Sequence, residues 1–201
     1  TPPRDPETIK MLEDEYFRSN YDIRSMLRVL FNSDSFKNAR FAKVKSPAEV
    51  VAGTVRLVGD FQVPRPGLMS IAMETSYQGQ ELINPPSVEG WHSGIEWINS
   101  GTLMKRTNFV AELISEHDRP GVASIIRRLK SVEDSPEAIV DACLDVMGPL
   151  EIPTAARDEL IEHARALGRF DWSDDSPEEG GSARVSEIIQ LIVSLREYQF
   201  A

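Results

Sequence analysis

Three times in this chain a short polar residue precedes a proline that opens a run of helically spaced apolar residues: Asp5-Pro6, Ser46-Pro47 and Ser135-Pro136. An Asp or Ser side chain can accept a bond from the free N–H groups of a first helical turn. Proline fits the next position because its fixed φ suits the helix and its missing N–H would have had no partner there. The spacing predicts a helix after each pair: Ile9, Leu12 and Tyr16 after the first, and Val140, Cys143, Leu144 and Met147 after the third. Ser46 and Glu49 add a capping box to the second, which Gly59 stops.

The same period recurs without proline. Asp22 leads into Ile23, Met26, Leu27 and Leu30. A further helix covers Leu68 to Gln80, and another begins at Asn99 or Ser100, with Leu103, Val110, Leu113 and Ile114 on one face. "GVASIIRRLK" is a shorter helix, with its basic residues on a solvated edge, and "PTAARDELIEHARALG" places Leu160, Ile161, Ala164 and Leu167 together. "ARVSEIIQLIVSLREYQF" closes the chain as a helix carrying Val185, Ile188, Ile189, Ile192 and Leu195. No alternating run bounded by hairpin turns is present, although "FAKVK" suits a short extended piece. The expected fold is therefore all-α, an irregular multi-helix bundle of about eight helices with a rigid Pro/Gly/Trp loop. Two lobes, 1–116 and 117–201, or one domain built from both, fit the short "HDRPG" join.

Composition excludes some functions. With 32 acidic residues against 22 basic, the chain carries −10 and lacks the clustered basic surface that counterion-release binding requires, so nucleic acid is not an expected partner. No apolar run reaches the length that spans a bilayer. The lone Cys143 allows no internal disulfide and falls on an apolar helical face, as a small buried hydrophobe would. The start "TPPRDPETIK" has no secretory leader pattern and reads as that of a mature chain or an excised segment.

One stretch departs from the helical pattern: "NPPSVEGWHSGIEWINSGTLMKR", residues 84–106. Pro85 and Pro86 hold the backbone extended, while Gly90 and Gly94 permit turns. Together with "YDIRSMLRVLFNSDSF", "KVKSPAEVVAGTVRLVG" and the terminal "IIQLIVSLREYQF", this region resembles the bacterial domain-of-unknown-function family 1800. The positions that carry the likeness are Ser46, Pro47, Gly53 and Arg56, then Gly79, Gln80, Pro85, Pro86, Val88, Gly90, Trp91, Gly94, Trp97, Asn99, Arg106, Asn108 and Phe109. The likeness runs through the whole chain and corresponds to the C-terminal part of the family's usual longer chain; "LREYQF" replaces a Ser-Pro pair usual at the end. It implies a bacterial protein, often exported and encoded beside exported sulfatase-like proteins. It supplies no reaction, cofactor or catalytic residue.

Two readings of the motif follow. In one, Trp91 and Trp97 pin the loop to the core, Asn99 caps the next helix, and Arg106 bonds loop carbonyls or a carboxylate. In the other, Trp91, His92 and Trp97 present ring faces to a carbohydrate or peptide while Asn99, Arg106 and Asn108 supply polar contacts. Because Arg106 and Asn108 diverge by ~200° on a helix, one of them belongs to structure. A catalytic carboxylate pair would have to come from Glu74, Glu81, Glu89 and Glu96, at the ~5 to ~9.5 Å separation of glycoside hydrolysis. His92, His117 and His163 lack metal-ligand spacing, the latter two reading as solvated helix-end residues, so neither metal nor other cofactor is expected.

The acidic "DWSDDSPEEGGSA" reads as a mobile loop in which Trp172 anchors to the core. The function expected is a non-catalytic binding or scaffold module of an exported protein. Its partner would be another protein, such as a member of an envelope assembly, or the N-terminal half of a longer chain whose active site this part would then support. A carbohydrate-directed enzyme or binder using Trp91 and Trp97 is the alternative.

Overall fold

The computed structural model describes residues 5–64, 66–91, 93–173 and 180–200. Arg65, His92, residues 174–179 of the acidic loop, and both chain ends lie outside the described residues. Ten α-helices and two 3-10 turns make up the secondary structure among them, which confirms the all-α class.

The chain divides into two compact units, one before and one after the 44/45 boundary. The first unit contains α1 (Pro6–Arg18), α2 (Ile23–Asn32) and a short α3 (Asp34–Asn38). Asp5 caps α1 by accepting from the Glu7 and Thr8 amides at 3.1 and 3.3 Å, and Asp22 caps α2 by accepting from the Arg24 amide. Asn20 and Tyr21 have positive φ, and this left-handed pair turns the chain sharply from α1 into α2. The two helices pack together, yet the only buried residue in α1 to α3 is Glu15. Its carboxylate accepts two bonds from Arg18, both 2.7 Å, and one from the Ser25 hydroxyl of α2. These partners, Arg18 first and Ser25 second, hold the Glu15 carboxyl below its ordinary pKa.

The second unit holds α4 (Pro47–Leu57), α5 (Leu68–Tyr77), α6 (Ser100–Ser115), α7 (Pro120–Leu129), α8 (Pro136–Met147), α9 (Thr154–Ala166) and α10 (Gly181–Ser194). Helix α10 is its axis: Val185, Ile188, Ile189, Ile192 and Val193 are buried as it packs on α6, α8 and α9. Residues on both sides of the 116/117 join, among them Phe109, Val110 and Ile114 with Val122, Ile125 and Leu129, share this core. The capping box at Ser46 and Glu49 and the cap at Ser135 form as their residue types dictate. Cys143 is buried, and the apolar surroundings push its thiol up to about 12. Trp172 packs against the core, and a side chain at Gly181 would meet its ring.

Several local expectations are corrected. The segment Leu68–Gln80 ends its helix at Tyr77, where Gln78 takes over as cap and Gly79, at φ 99°, reverses the chain. The last helix stops at Ser194, Leu195 is extended, and Glu197–Gln199 forms a 3-10 turn. His117 and His163 are half-buried and bonded: His117 Nε2 lies 3.0 Å from Ser186 Oγ and His163 Nε2 lies 2.8 Å from a Glu187 oxygen.

One close approach fixes α4 against α7. The Gly121 amide donates to the Val58 carbonyl at 2.9 Å, and a Cβ at Gly121 would sit 2.1 Å from the Leu57 carbonyl oxygen, so only glycine fits. Beside the crossing lies a polar concavity of about 440 Å³, where Arg119 pairs with Asp60 and Glu116.

Candidate functional site

The Pro/Gly/Trp loop is built by five polar connections. Past Gly79, the Gln80 amide donates to the Thr75 carbonyl at 2.7 Å. The Gln80 side-chain oxygen accepts from the Ala48 amide at 2.9 Å, satisfying a free N–H in the first turn of α4. Trp91 Nε1 donates to the Glu81 carbonyl at 3.1 Å and closes the span between them. After the 3-10 turn Gly94–Trp97, the Thr102 hydroxyl donates to the Trp97 carbonyl at 2.9 Å. Asn99 caps α6 in a reciprocal box with Thr102, both bonds 2.9 Å.

The six residues singled out in this region do not share one surface. Trp97 is enclosed, with 7% of its surface exposed, and Arg106 is wholly buried. Trp91 is half-buried, while Asn99 and Asn108 are exposed. His92 lies outside the described residues. The glutamates stand apart in character as well: Glu81, Glu89 and Glu96 are exposed, and Glu74 is half-buried. Desolvation raises the Glu74 pKa, with Lys105 opposing and Glu112 adding to the rise. Among the described residues no group of three or more His, Cys, Asp or Glu side chains is placed to hold a metal ion.

Arg106 reaches the two ends of the second unit. One guanidinium nitrogen donates to the Lys45 carbonyl at 2.8 Å and lies 3.5 Å from the Gln199 side-chain oxygen. Lys45 in turn donates from its amide to the Gln199 carbonyl at 2.8 Å and from Nζ to the Tyr198 carbonyl at 2.7 Å. Its ammonium also lies 4.2 Å from the centroid of the Tyr198 ring, a cation–π contact. Arg106 therefore ties the start of this unit to its end. The remaining guanidinium atoms, Nε and the second terminal nitrogen, are buried without hydrogen-bond partners. Desolvation pulls the Arg106 pKa down to about 10. Burial also lowers that of Lys45, against the pull of Glu49 and with a smaller contribution from the Arg106 charge. Gln78, also wholly buried, leaves both amide atoms without partners. A cation this enclosed braces the fold and offers solvent nothing.

Beside its exposed glutamates, the loop presents large apolar side chains to solvent. Ile83 is 95% exposed and Ile95 78%, and Val88 is fully exposed. Ile83 also has a φ of 68°, which is unfavourable for a β-branched residue. On neighbouring α5, Met69, Met73 and Tyr77 are exposed at successive i, i+4 positions. Between α4 and α5 runs a groove of about 410 Å³, lined by Ala48, Val51, Val55, Ile71 and Ala72, with the exposed Leu68 and Leu82 also on its wall.

Sequence reasoning offered Arg106 a structural role but missed its burial, and it missed the apolar display. The first had a readable signal: Arg106 lies three residues after Leu103 and four before Val110, on the apolar stripe of α6. The second left a fainter one, in Ile83, Val88 and Ile95 standing among turn-forming residues where no core period calls for them. A family model described as a protein of unknown function (DUF1800) matches residues 1–200. The chain belongs to that family. No curated protein and no solved structure matches this DUF1800 chain.

Proposed function

We propose that this DUF1800 chain is a non-catalytic binding or scaffold module whose working surface is the outer side of the Pro/Gly/Trp loop together with α5. The observation that carries the reading is the exposure of Ile83, Val88 and Ile95 on a loop held in shape by the Gln80 and Trp91 side-chain hydrogen bonds. Loops are ordinarily polar where water is their only neighbour, and large exposed apolar patches mark interaction sites. The groove between α4 and α5 lies within the same part of the unit and has the size of a small recognition pocket. The partner is a protein surface, either a separate protein or further sequence of a longer chain, and the family resemblance suggests an exported setting.

Photo-cross-linking from position 82 of the full-length protein in its own host tests the reading. A discrete adduct that disappears when Ile83, Val88 and Ile95 are all changed to Ser, with the melting temperature held, supports it; an adduct pattern unaffected by the triple substitution refutes it. Fractionation of the same cells tests the exported setting. The carbohydrate alternative has less to stand on, because Trp97 is enclosed and the Trp91 N–H is bonded to Glu81. It would work through one half-buried ring, and glycan-dependent quenching of tryptophan emission that vanishes in Trp91→Phe would revive it.

A further inference from the structure

We infer that the first unit carries a second, independent interaction surface: the outer face of α2, which docks onto an anionic lipid surface. Helix α2 has two different sides. Ser25, Met26, Val29 and Leu30 are half-buried and face inward, where α2 packs on α1. Ile23, Leu27 and Phe31, spaced i, i+4, i+8, are exposed. Arg24 and Arg28 follow the first two of these by one residue, so at 100° per residue they form a cationic edge directly beside the exposed apolar stripe. The stripe continues into α3, where the exposed Phe36 ring stands 5.1 Å, centroid to centroid, from that of Phe31.

Charge decides what such a face fits. Residues 22–44 contain five basic side chains, Arg24, Arg28, Lys37, Arg40 and Lys43, against Asp22 and Asp34, within a chain of net −10. Of the exposed acids of α1, Glu7 and Asp14 line a concavity together with Val29 of α2, a residue of the inner face of α2 and not of its exposed stripe. A convex helix with exposed Ile, Leu and Phe along one strip and Arg along its border meets the requirements of interfacial lipid binding: the apolar strip enters the acyl boundary and the guanidinium groups reach headgroup phosphates. Salt screens charge–charge interactions over about 8 Å at physiological ionic strength, which favours the basic side chains nearest the lipid over more distant charges. No helix among the described residues is long and apolar enough to cross a membrane, and this mode of attachment needs none.

Co-sedimentation of the full chain with phosphatidylglycerol-containing vesicles, and with pure phosphatidylcholine vesicles, tests the inference. Binding is expected on the anionic vesicles, with loss at high salt. Arg24→Glu with Arg28→Glu should weaken it at least about tenfold, given the contribution of each basic residue near a charged surface. Leu27→Ser with Phe31→Ser should weaken it comparably, with helical circular dichroism unchanged in both variants. Absence of binding to anionic vesicles, equal binding to neutral ones, or binding indifferent to both pairs of substitutions would overturn it. So would self-association abolished by the same substitutions, which would make a second copy of the chain the occupant. None of these readouts involves the loop of the second unit, so failure here and failure of the proposed protein-binding surface are separable.

Discussion

The two units begin from the same kind of sequence, capped amphipathic helices, and end in opposite states of burial. In the second unit α10 places Ile188, Ile189, Ile192 and Val193 in a buried interior shared with α6, α8 and α9. In the first, α1 to α3 bury nothing but Glu15, while Phe17, Tyr21, Ile23, Leu27, Phe31 and Phe36 stay in contact with solvent. The difference shows that helical periodicity defines a face without naming what covers it. A three-element unit has too little partner surface to enclose its own stripe. A seven-helix unit can enclose most of its stripes, and what it leaves outside is concentrated on α5 and the Pro/Gly/Trp loop.

The sharpest way to break this contrast uses Cys143. Its thiol is buried and held near 12, so labelling by a thiol reagent at pH 8 has to await opening of the second unit. Labelling should be on the order of a thousandfold or more slower than in denaturant, given ordinary domain stabilities. Labelling within tenfold of the unfolded rate would mean that the second unit is not the tightly closed one.

Truncation inside the second unit comes next in size. Ile188→Ala and Trp97→Ala should each cost about 3 to 5 kcal/mol in chemical denaturation. Leu27→Ala in the first unit, and Trp91→Ala, whose main loss is one indole hydrogen bond, should each cost roughly 1 kcal/mol. Equal costs for the two tryptophans would show that the loop is enclosed on both sides. Arg106→Met should change stability by less than about 1.5 kcal/mol, because losing the Lys45 and Gln199 bonds is offset by removing a buried cation that has two unpaired donors. A larger loss would identify Arg106 as the dominant tie between the ends of the unit.

The smallest effect is expected in the first unit, and it depends on pH. Glu15 is held below its ordinary pKa by Arg18 and Ser25, so its contribution is present above the unfolded glutamate value of about 4.3. That contribution is lost as pH falls through the lower folded value. Amide protection factors across α1 and α2, corrected for the intrinsic pH dependence of exchange, should therefore fall on acidification in that window, and Glu15→Gln should flatten the response without touching protection in α10. An unchanged acid response in the variant would assign it to other carboxylates.

What was legible in the sequence was local. The caps at Asp5, Asp22, Ser46, Asn99 and Ser135 follow from residue type and immediate neighbours, and so does the helix stop at Gly59. Elements whose form depends on distant chain were not. The short α3 has only Ser33 as its cap and no long apolar period, and nothing in "VSLREYQF" is a strong breaker that would announce the end of α10 at Ser194. The boundary at 44/45 crosses no shift in composition. Within the candidate site, the reading of Asn99 came from capping chemistry. The opposite fates of Trp91 and Trp97 arise in a loop, where no repeating period relates position to burial.

Ile83 has an evolutionary corollary. At a φ of 68°, glycine or asparagine would fit the backbone with less strain, and a side chain 95% exposed returns no packing for the conformation it imposes. A lineage drifting under selection for foldedness alone would be drawn toward those smaller residues at this position. Isoleucine persisting there across descendants would therefore be a record of selection acting on something other than the folding of this chain.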